Sequence, residues 1–326
     1  NMFSPVPTLV PGMSRVTAVA SGFYHTTALR NDGKVWAWGN NSWGQLGSGT
    51  FMISRTPVQV LGLSNVTAVS AAYLNAAALN ADGTVWRWGQ YHITRSPVPA
   101  QVLGLSGIRA IASGSGYLLA LKSDGTVWGW GSNAYGQLGN GSAAAMVAYP
   151  APVTGMSDVS HVAGGPSHAL AVTRNGAVWA WGSNVAHQVG SAASNSPLAH
   201  QVEGLPVPPN GASGIKAVVA GYYNSSVIYT DGSIWAWGSD LVRQYGAGMP
   251  DVSRKPVQVT AIAGAAAVAK GRDFTAILGK DGRVQGIGTN YRGQLGNNTF
   301  VSSMVPVQVV GLSGVGYLNL GNSASR

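Results

Sequence analysis

Ten carboxylates and six histidines carry most of the acid–base and metal-binding capacity of this 326-residue chain, and it has no cysteine. Glycoside hydrolysis needs two carboxyl groups facing each other across a cleft. Five of the ten acids, Asp32, Asp82, Asp124, Asp231 and Asp281, each stand directly before a glycine. Asp-Gly favours the backbone shape of a tight hairpin, so these five are turn residues. The others, Asp158, Glu203, Asp240, Asp251 and Asp273, lie far apart in the sequence. The histidines His25, His92, His161, His168, His187 and His200 form no HExxH pair. No nucleophile elbow or Ser–His–Asp order occurs. Disulfides, thiolate chemistry and Cys-based zinc sites are excluded. The chain reads as a non-enzyme, with no catalytic residue, no metal and no cofactor.

The elements that position these residues come from a repeat. Asp32-Gly33-Lys34-Val35-Trp36-Ala37-Trp38-Gly39 returns at Asp82, Asp124, Asn175, Asp231 and Asp281, in steps of 50, 42, 51, 56 and 50 residues. Repeats of this length without 3.6-residue periodicity point to blades of short strands. In the first unit the strands are expected at Val16 to Ala20, His25 to Arg30, Lys34 to Gly39 and Thr56 to Val60. Pro57 places the fourth on an outer edge. Trp36 and Trp38 are two apart and share one strand face. The pair recurs as Trp86/Trp88, Trp128/Trp130, Trp179/Trp181 and Trp235/Trp237, a core role between neighbouring blades. The sixth unit has Gln285 and Ile287 instead. A Gly-Gln-Leu-Gly loop at 44–47, 136–139 and 293–296 is altered at 187–190 and 243–246, and the second unit replaces it with Gln90-Tyr91-His92-Ile93. Its Gln is expected to lock the loop and its Leu to plug the core. No Lys-Ser/Thr follows these glycines, so they are not a phosphate loop.

Together these features are similar to the repeat of the regulator-of-chromosome-condensation family of β-propellers. The matching residues are Asp-Gly-x-Val-Trp-x-Trp-Gly, Gly-Gln-Leu-Gly, Pro-Val-x-Val and Gly-x-x-His-Thr, the last being Gly22-Phe23-Tyr24-His25-Thr26. The resemblance implies an all-β propeller of four-stranded antiparallel blades, usually seven. Here six repeats are complete: 15–64, 65–106, 107–157, 158–213, 214–263 and 264–311. One domain, 1–326, is expected. Segments 1–14 and 312–326 would close or extend the ring, with Pro5 to Val10 as a lone fourth strand and Val315 to Gly321 as a lone first strand of a partial seventh blade. The family's light-sensing members carry Trp inside Gly-x-x-His-Thr, and this chain does not.

Composition bounds the partners. Only 9% of residues are charged, and the net charge is +9. Nucleic-acid binding needs a basic stripe. The basic residues are scattered except for Arg254, Lys255, Lys270, Arg272, Lys280, Arg283 and Arg292, which are expected to form a local anion-attracting patch. No apolar run of 18 residues or more spans a membrane. The chain opens on Asn1, as a processed chain or a fragment would. Low charge with abundant Asn, Ser, Thr and Trp suits an exported or surface protein of a bacterium. The leading expectation is a non-catalytic scaffold that binds another protein through one propeller face, built from Phe23, Tyr24, His25, Tyr73, Asn75, Tyr117, His168, Tyr222, Tyr223, Asn224 and Phe274. The alternatives are self-association, with the terminal strands pairing between chains, and carbohydrate binding.

Overall fold

The computed structural model describes residues 3–91, 94–191, 194–208, 210–262 and 264–318. They form six four-stranded sheets in which neighbouring strands follow chain order. Blade 1 consists of Val16–Ser21, His25–Arg30, Val35–Gly39 and Ser54–Gln59. These lie within two residues of the bounds expected from the repeat. The other blades run from Val66–Ala72 to Thr94–Gln101, Ile108–Gly114 to Met146–Pro152, Val159–Gly164 to Asn195–Gln201, Ile215–Ala220 to Val252–Gln258 and Ala265–Lys270 to Ser303–Gln308. The described residues hold no α-helix, only a 3-10 turn at Gly211–Gly214.

Each blade is a meander whose register follows from side-chain alternation. Val35 and Ala37 face the core shared with blade 2, while Trp36 and Trp38 face the other way. In the later blades the second Trp of the pair, at 88, 130, 181 or 237, is buried against the preceding blade. Trp88 Nε1 donates to the Gln45 carbonyl at 3.0 Å, Trp181 to Gln137 at 2.9 Å and Trp237 to Gln188 at 2.8 Å. The first strands pack in series around the axis, from Val16–Ser21 to Ala265–Lys270. Among the described residues no comparable packing returns from blade 6 to blade 1.

The glycine closing each Trp-x-Trp-Gly has a physical reason. Gly39 has φ +113°, and a Cβ there would sit 2.4 Å from the Tyr24 carbonyl oxygen. Only a residue without Cβ lets the third strand pass that close to the second.

The terminal segments correct one expectation. Neither Pro5 to Val10 nor Val315 to Leu318 forms a strand, and residues 319–321 of the expected last strand lie outside the described residues. A seventh sheet is absent among the described residues. The physical reason is pairing: a strand needs a neighbour to exchange main-chain hydrogen bonds with. Among the described residues no strand pairs with either segment. His92 and Ile93, singled out in the second unit's altered loop, also lie outside the described residues.

Candidate binding face

Each first strand ends at one mouth of the ring, and the chain turns there into the second strand. In blade 1 the two residues in that turn are exposed and the next is buried between the blades. This alternation divides the eleven expected face residues. Tyr24 is 59% exposed, Tyr223 43%, Tyr73 42% and Phe23 36%. Tyr222 and Phe274 are half-buried. His25, Asn75, Tyr117, His168 and Asn224 are buried, so they hold the wall behind the face and do not touch a docked partner.

Three of the buried five, Tyr117, His168 and Asn224, are hydrogen-bonded to neighbouring elements. The Tyr117 hydroxyl shares its proton between the Gly165 carbonyl (2.8 Å) and the His168 carbonyl (2.7 Å), linking blade 3 to blade 4. Ser225 donates its one proton to the Gln188 carbonyl at 2.7 Å, so at 2.9 Å His168 Nε2 must be the donor to Ser225 Oγ. Burial pushes the His168 pKa down to about 3, so the ring is neutral and its one proton sits on Nε2. Burial likewise takes His25 down to about 4. Asn224 Nδ2 donates to the Ser239 carbonyl at 2.9 Å, and its Oδ1 accepts from the Tyr245 hydroxyl at 3.3 Å.

The exposed members form two aromatic sectors. In the first, Phe23 stacks edge-on with Tyr24 at 4.5 Å and lies 5.4 Å from Tyr73. Tyr73 is held at φ +32°, a left-handed conformation that a bulky residue seldom adopts. Its carbonyl accepts the Phe23 amide at 2.9 Å, tying blade 1 to blade 2. In the second sector Tyr222 and Tyr223 meet at 4.8 Å. The Arg272 guanidinium lies 5.3 Å from the Tyr222 ring centre and 3.7 Å from the Asp273 carboxylate. Partial burial raises the Tyr222 pKa. Ser115 and Pro166, from blades 3 and 4, keep one side of the mouth low. The axial depression among these groups has a volume of about 80 Å³, too small to enclose a cofactor-sized ligand.

The opposite mouth carries the Asp-Gly turns. There Arg30–Asp32, Lys122–Asp124 and Arg283–Asp281 pair at 3.5–3.6 Å. In these three turns the acid pairs with a basic side chain two residues away. Among the described residues no group of three or more His, Asp or Glu gathers as a metal site.

The basic cluster of the late sequence does not assemble. Arg272 and Lys280 flank opposite ends of strand Phe274–Gly279, and Arg254 and Lys255 lie on an outer strand. Lys270 is buried: its Nζ lies 3.4 Å from the Tyr245 ring centre and donates to Thr275 Oγ1 at 3.0 Å. Residues close in sequence separate because successive strands carry them to different radii and faces.

Two features escaped the sequence reading. Gln45 does lock its loop, accepting from the Trp43 amide at 2.9 Å and donating to Asn40 at 2.9 Å. The stronger staple is Asn41, which donates to the Thr50 and Met52 carbonyls and accepts from Leu46 N. Asn133, Asn184 and Asn290 repeat it, always four residues before the loop Gln, and that fixed offset was the available signal. The second is Asp240, which takes the Asn position in blade 5 and is buried near Lys270. Burial pushes its carboxyl up to about 6, and pushes the Lys270 ammonium well below its usual value.

Two sequence models, each described as a regulator of chromosome condensation (RCC1) repeat, match residues 32–79, 124–172 and 281–320, and residues 16–45, 108–137 and 159–188. The protein pim1 of Schizosaccharomyces pombe is 31% identical over 32% of this chain and 20% of its own length. The ultraviolet-B receptor UVR8 of Arabidopsis thaliana is 29% identical over 39% of this chain and 28% of its own. The match therefore spans well under a third of either relative. Among solved structures, Prp20p of Saccharomyces cerevisiae superposes with a TM-score of 0.82 at 22% identity, covering 94% of this chain and 80% of that one. Human WBSCR16 gives 0.81 at 20% identity, covering 94% and 84%. At such identities the likeness is one of fold.

Proposed function

Because this chain carries regulator-of-chromosome-condensation repeats, we propose that it is a non-catalytic scaffold that recognises another protein through its aromatic mouth. The observation that carries this reading is the convergence of exposed Phe23, Tyr24, Tyr73 and Tyr223 on one rim, with half-buried Tyr222 beside them. Tyr and Trp favour binding sites because they bring area at little entropy cost. The solved Prp20p structures are described with Gsp1p, histones and Kap60, all proteins. That supports protein recognition as the use of such a ring. Composition supports placing the scaffold outside the cell or on its surface, because 9% charge is low for a cytosolic chain.

The test is truncation on the rim. Tyr24→Ala and Tyr222→Ala should keep the circular dichroism and melting point of the parent. Each should weaken capture of the bound protein from native extract on the order of thirtyfold, as hot-spot aromatics do. Parent-like capture by both variants moves the site to the opposite face or the outer rim.

A further inference from the structure

The second unit is the shortest, its repeat returning after 42 residues, and the loop it lacks shapes the seam with blade 3. Strand Val85–Tyr91 turns directly into Thr94–Gln101, with Tyr91 paired to Thr94, so no Gly-Gln-Leu-Gly loop intervenes. Where this loop or its altered form is kept, it touches the next blade at three places. Its Gln carbonyl accepts from the buried indole, as Trp88, Trp181 and Trp237 show. Its Gln Cα lies 3.2 Å from the Cβ position of the next blade's closing glycine, at Gly89 and at Gly182. Its first glycine lies on the next outer strand: a Cβ on Gly44 would be 2.6 Å from Pro97 Cα, and one on Gly136 2.5 Å from Pro197 Cα.

Blade 3 presents the same three places to blade 2. Gly131 pairs with Val147 as Gly89 does with Ser96 and Gly182 with Ser196, so Ala148 stands where Pro97 and Pro197 do. Trp130, Gly131 and Ala148 all line one pocket of about 310 Å³, bounded on the blade 2 side by Arg87 and Tyr91. That volume is at the lower end of small-ligand sites, roughly 300–1,000 Å³. Tyr91 is a fixed wall, because its hydroxyl donates to the Ala76 carbonyl at 3.0 Å.

Two polar groups of this pocket are unanswered. Trp130 is 1% exposed, and its Nε1 meets no acceptor among the described residues. Burying an N–H without an acceptor costs free energy. Trp36, Trp179 and Trp235 lack an acceptor too, but they are the half-buried first members of their pairs, a position that bonds a turn threonine in blades 2 and 3. The second group is Arg87. At its position the other blades carry Ala37, Gly129, Ala180, Ala236 and Gly286. A Cβ on Gly129 would lie 3.3 Å from the loop's Leu138, and one on Gly286 3.1 Å from Leu295, so the loop demands a small residue there. Without the loop an arginine fits. Its guanidinium lies 4.6 Å from the Tyr91 ring centre, and no carboxylate pairs with it among the described residues.

We propose that this pocket between blades 2 and 3 binds a small carboxylate with a compact apolar body. One carboxylate oxygen takes the Trp130 N–H in place of the Gln carbonyl. The charge faces Arg87, whose planar fork matches a carboxylate. The apolar body rests on Met146 and Val147, which complete the blade 3 wall. The pocket shares no lining residue with the axial depression at the aromatic mouth, so the two sites can be tested separately.

The probes are phenylacetate and 4-methylpentanoate, each beside its primary amide, titrated into the full chain with its indole nitrogens isotopically labelled. The Trp130 indole resonance, identified by its loss in Trp130→Phe, should shift and saturate at one ligand per protein. The amides should bind at least about tenfold more weakly, because they lose the charge-assisted bond. Arg87→Ala, which installs the residue type of Ala37, Ala180 and Ala236, should keep the melting point of the parent. It should weaken carboxylate binding by about tenfold or more in calorimetry. If neither carboxylate moves the Trp130 resonance at millimolar concentration, the proposal is overturned. Equal binding of acid and amide overturns it as well, and so does equal binding by the parent and Arg87→Ala. Should Trp130→Phe fail to fold, the calorimetric comparison with Arg87→Ala decides the matter by itself.

Discussion

The junction between blades 3 and 4 and the junction between blades 5 and 6 use the same positions with different chemistry. At the first, Leu138 and Trp181 fill the seam, Asn133 staples the loop and Gly164 leaves room beside it. At the second these four are Tyr245, Ile287, Asp240 and Lys270. The replacements compensate one another. Loss of the indole frees the Gln244 carbonyl, and Thr275 Oγ1 takes it at 2.6 Å. The larger Tyr245 ring occupies the space the indole gave up, and Lys270 packs its amine on that ring. The seam stays closed, but it now contains an amine and a carboxyl. A neutral indole loses little on burial once its N–H is bonded, whereas an ionisable pair loses its hydration.

This contrast sets the largest expected effect. Trp181→Ala should cost about 3–5 kcal/mol in urea denaturation, because a large cavity opens in a seam with nothing to refill it. Ile287→Ala should cost clearly less than Trp181→Ala, since it removes a smaller side chain from a seam already adapted to lack an indole. Equal losses would show that the two seams are energetically alike and would break the comparison.

Next in size is the ionisable pair itself. The double variant Asp240→Asn/Lys270→Ser restores residue types found at these positions in blade 1. It should be as stable as the parent or more stable by about 1–4 kcal/mol. Each single variant should be less stable than the double, because it strands one buried group. A double variant less stable than either single would mean that the pair holds the seam.

The remaining contrast is in pH. His25 and His168 have folded pKa values of about 4 and about 3, below the usual 6.5 of an unfolded histidine. Between pH 6.5 and those values the unfolded chain binds more protons, so stability falls as pH falls. Asp240 acts oppositely: its raised value, about 6, means the folded state takes up its proton first and gains stability on acidification. Two histidines outweigh one carboxyl, and the melting point should drop by several degrees from pH 7 to pH 4. His168→Asn, the residue at the equivalent Asn75 and Asn224 positions, should flatten that slope. An unchanged slope would remove His168 as its source.

The repeat made the ring readable because its signals are local. Asp-Gly turns and alternating Trp pairs fix hairpins within one blade, and the observed strands follow them closely. The face was readable only by halves. Tyr24 and His25 are adjacent, yet one points to solvent and the other between blades. His25, Asn75, Tyr117, His168, Asn224 and Phe274 all open the second strand of their blades. Of these, Tyr117 and His168 bridge to the next blade by hydrogen bonds, while Asn224 bonds within its own blade. Asp240 and Lys270 lie thirty residues apart in different blades, and no periodicity within a repeat brings such a pair to notice.

The tryptophan bonds run in one direction around the ring, and that direction is also the order of synthesis. Gln45 leaves the ribosome before Trp88, Gln137 before Trp181 and Gln188 before Trp237, so every carbonyl acceptor exists before its indole donor arrives. Each new blade finds a finished template to dock on, and domains emerging at ribosomal pace can be completed unit by unit. A circular permutant that placed a blade's indole upstream of its acceptor loop would lose that ordering at one seam, leaving an exposed tryptophan waiting for the rest of the chain.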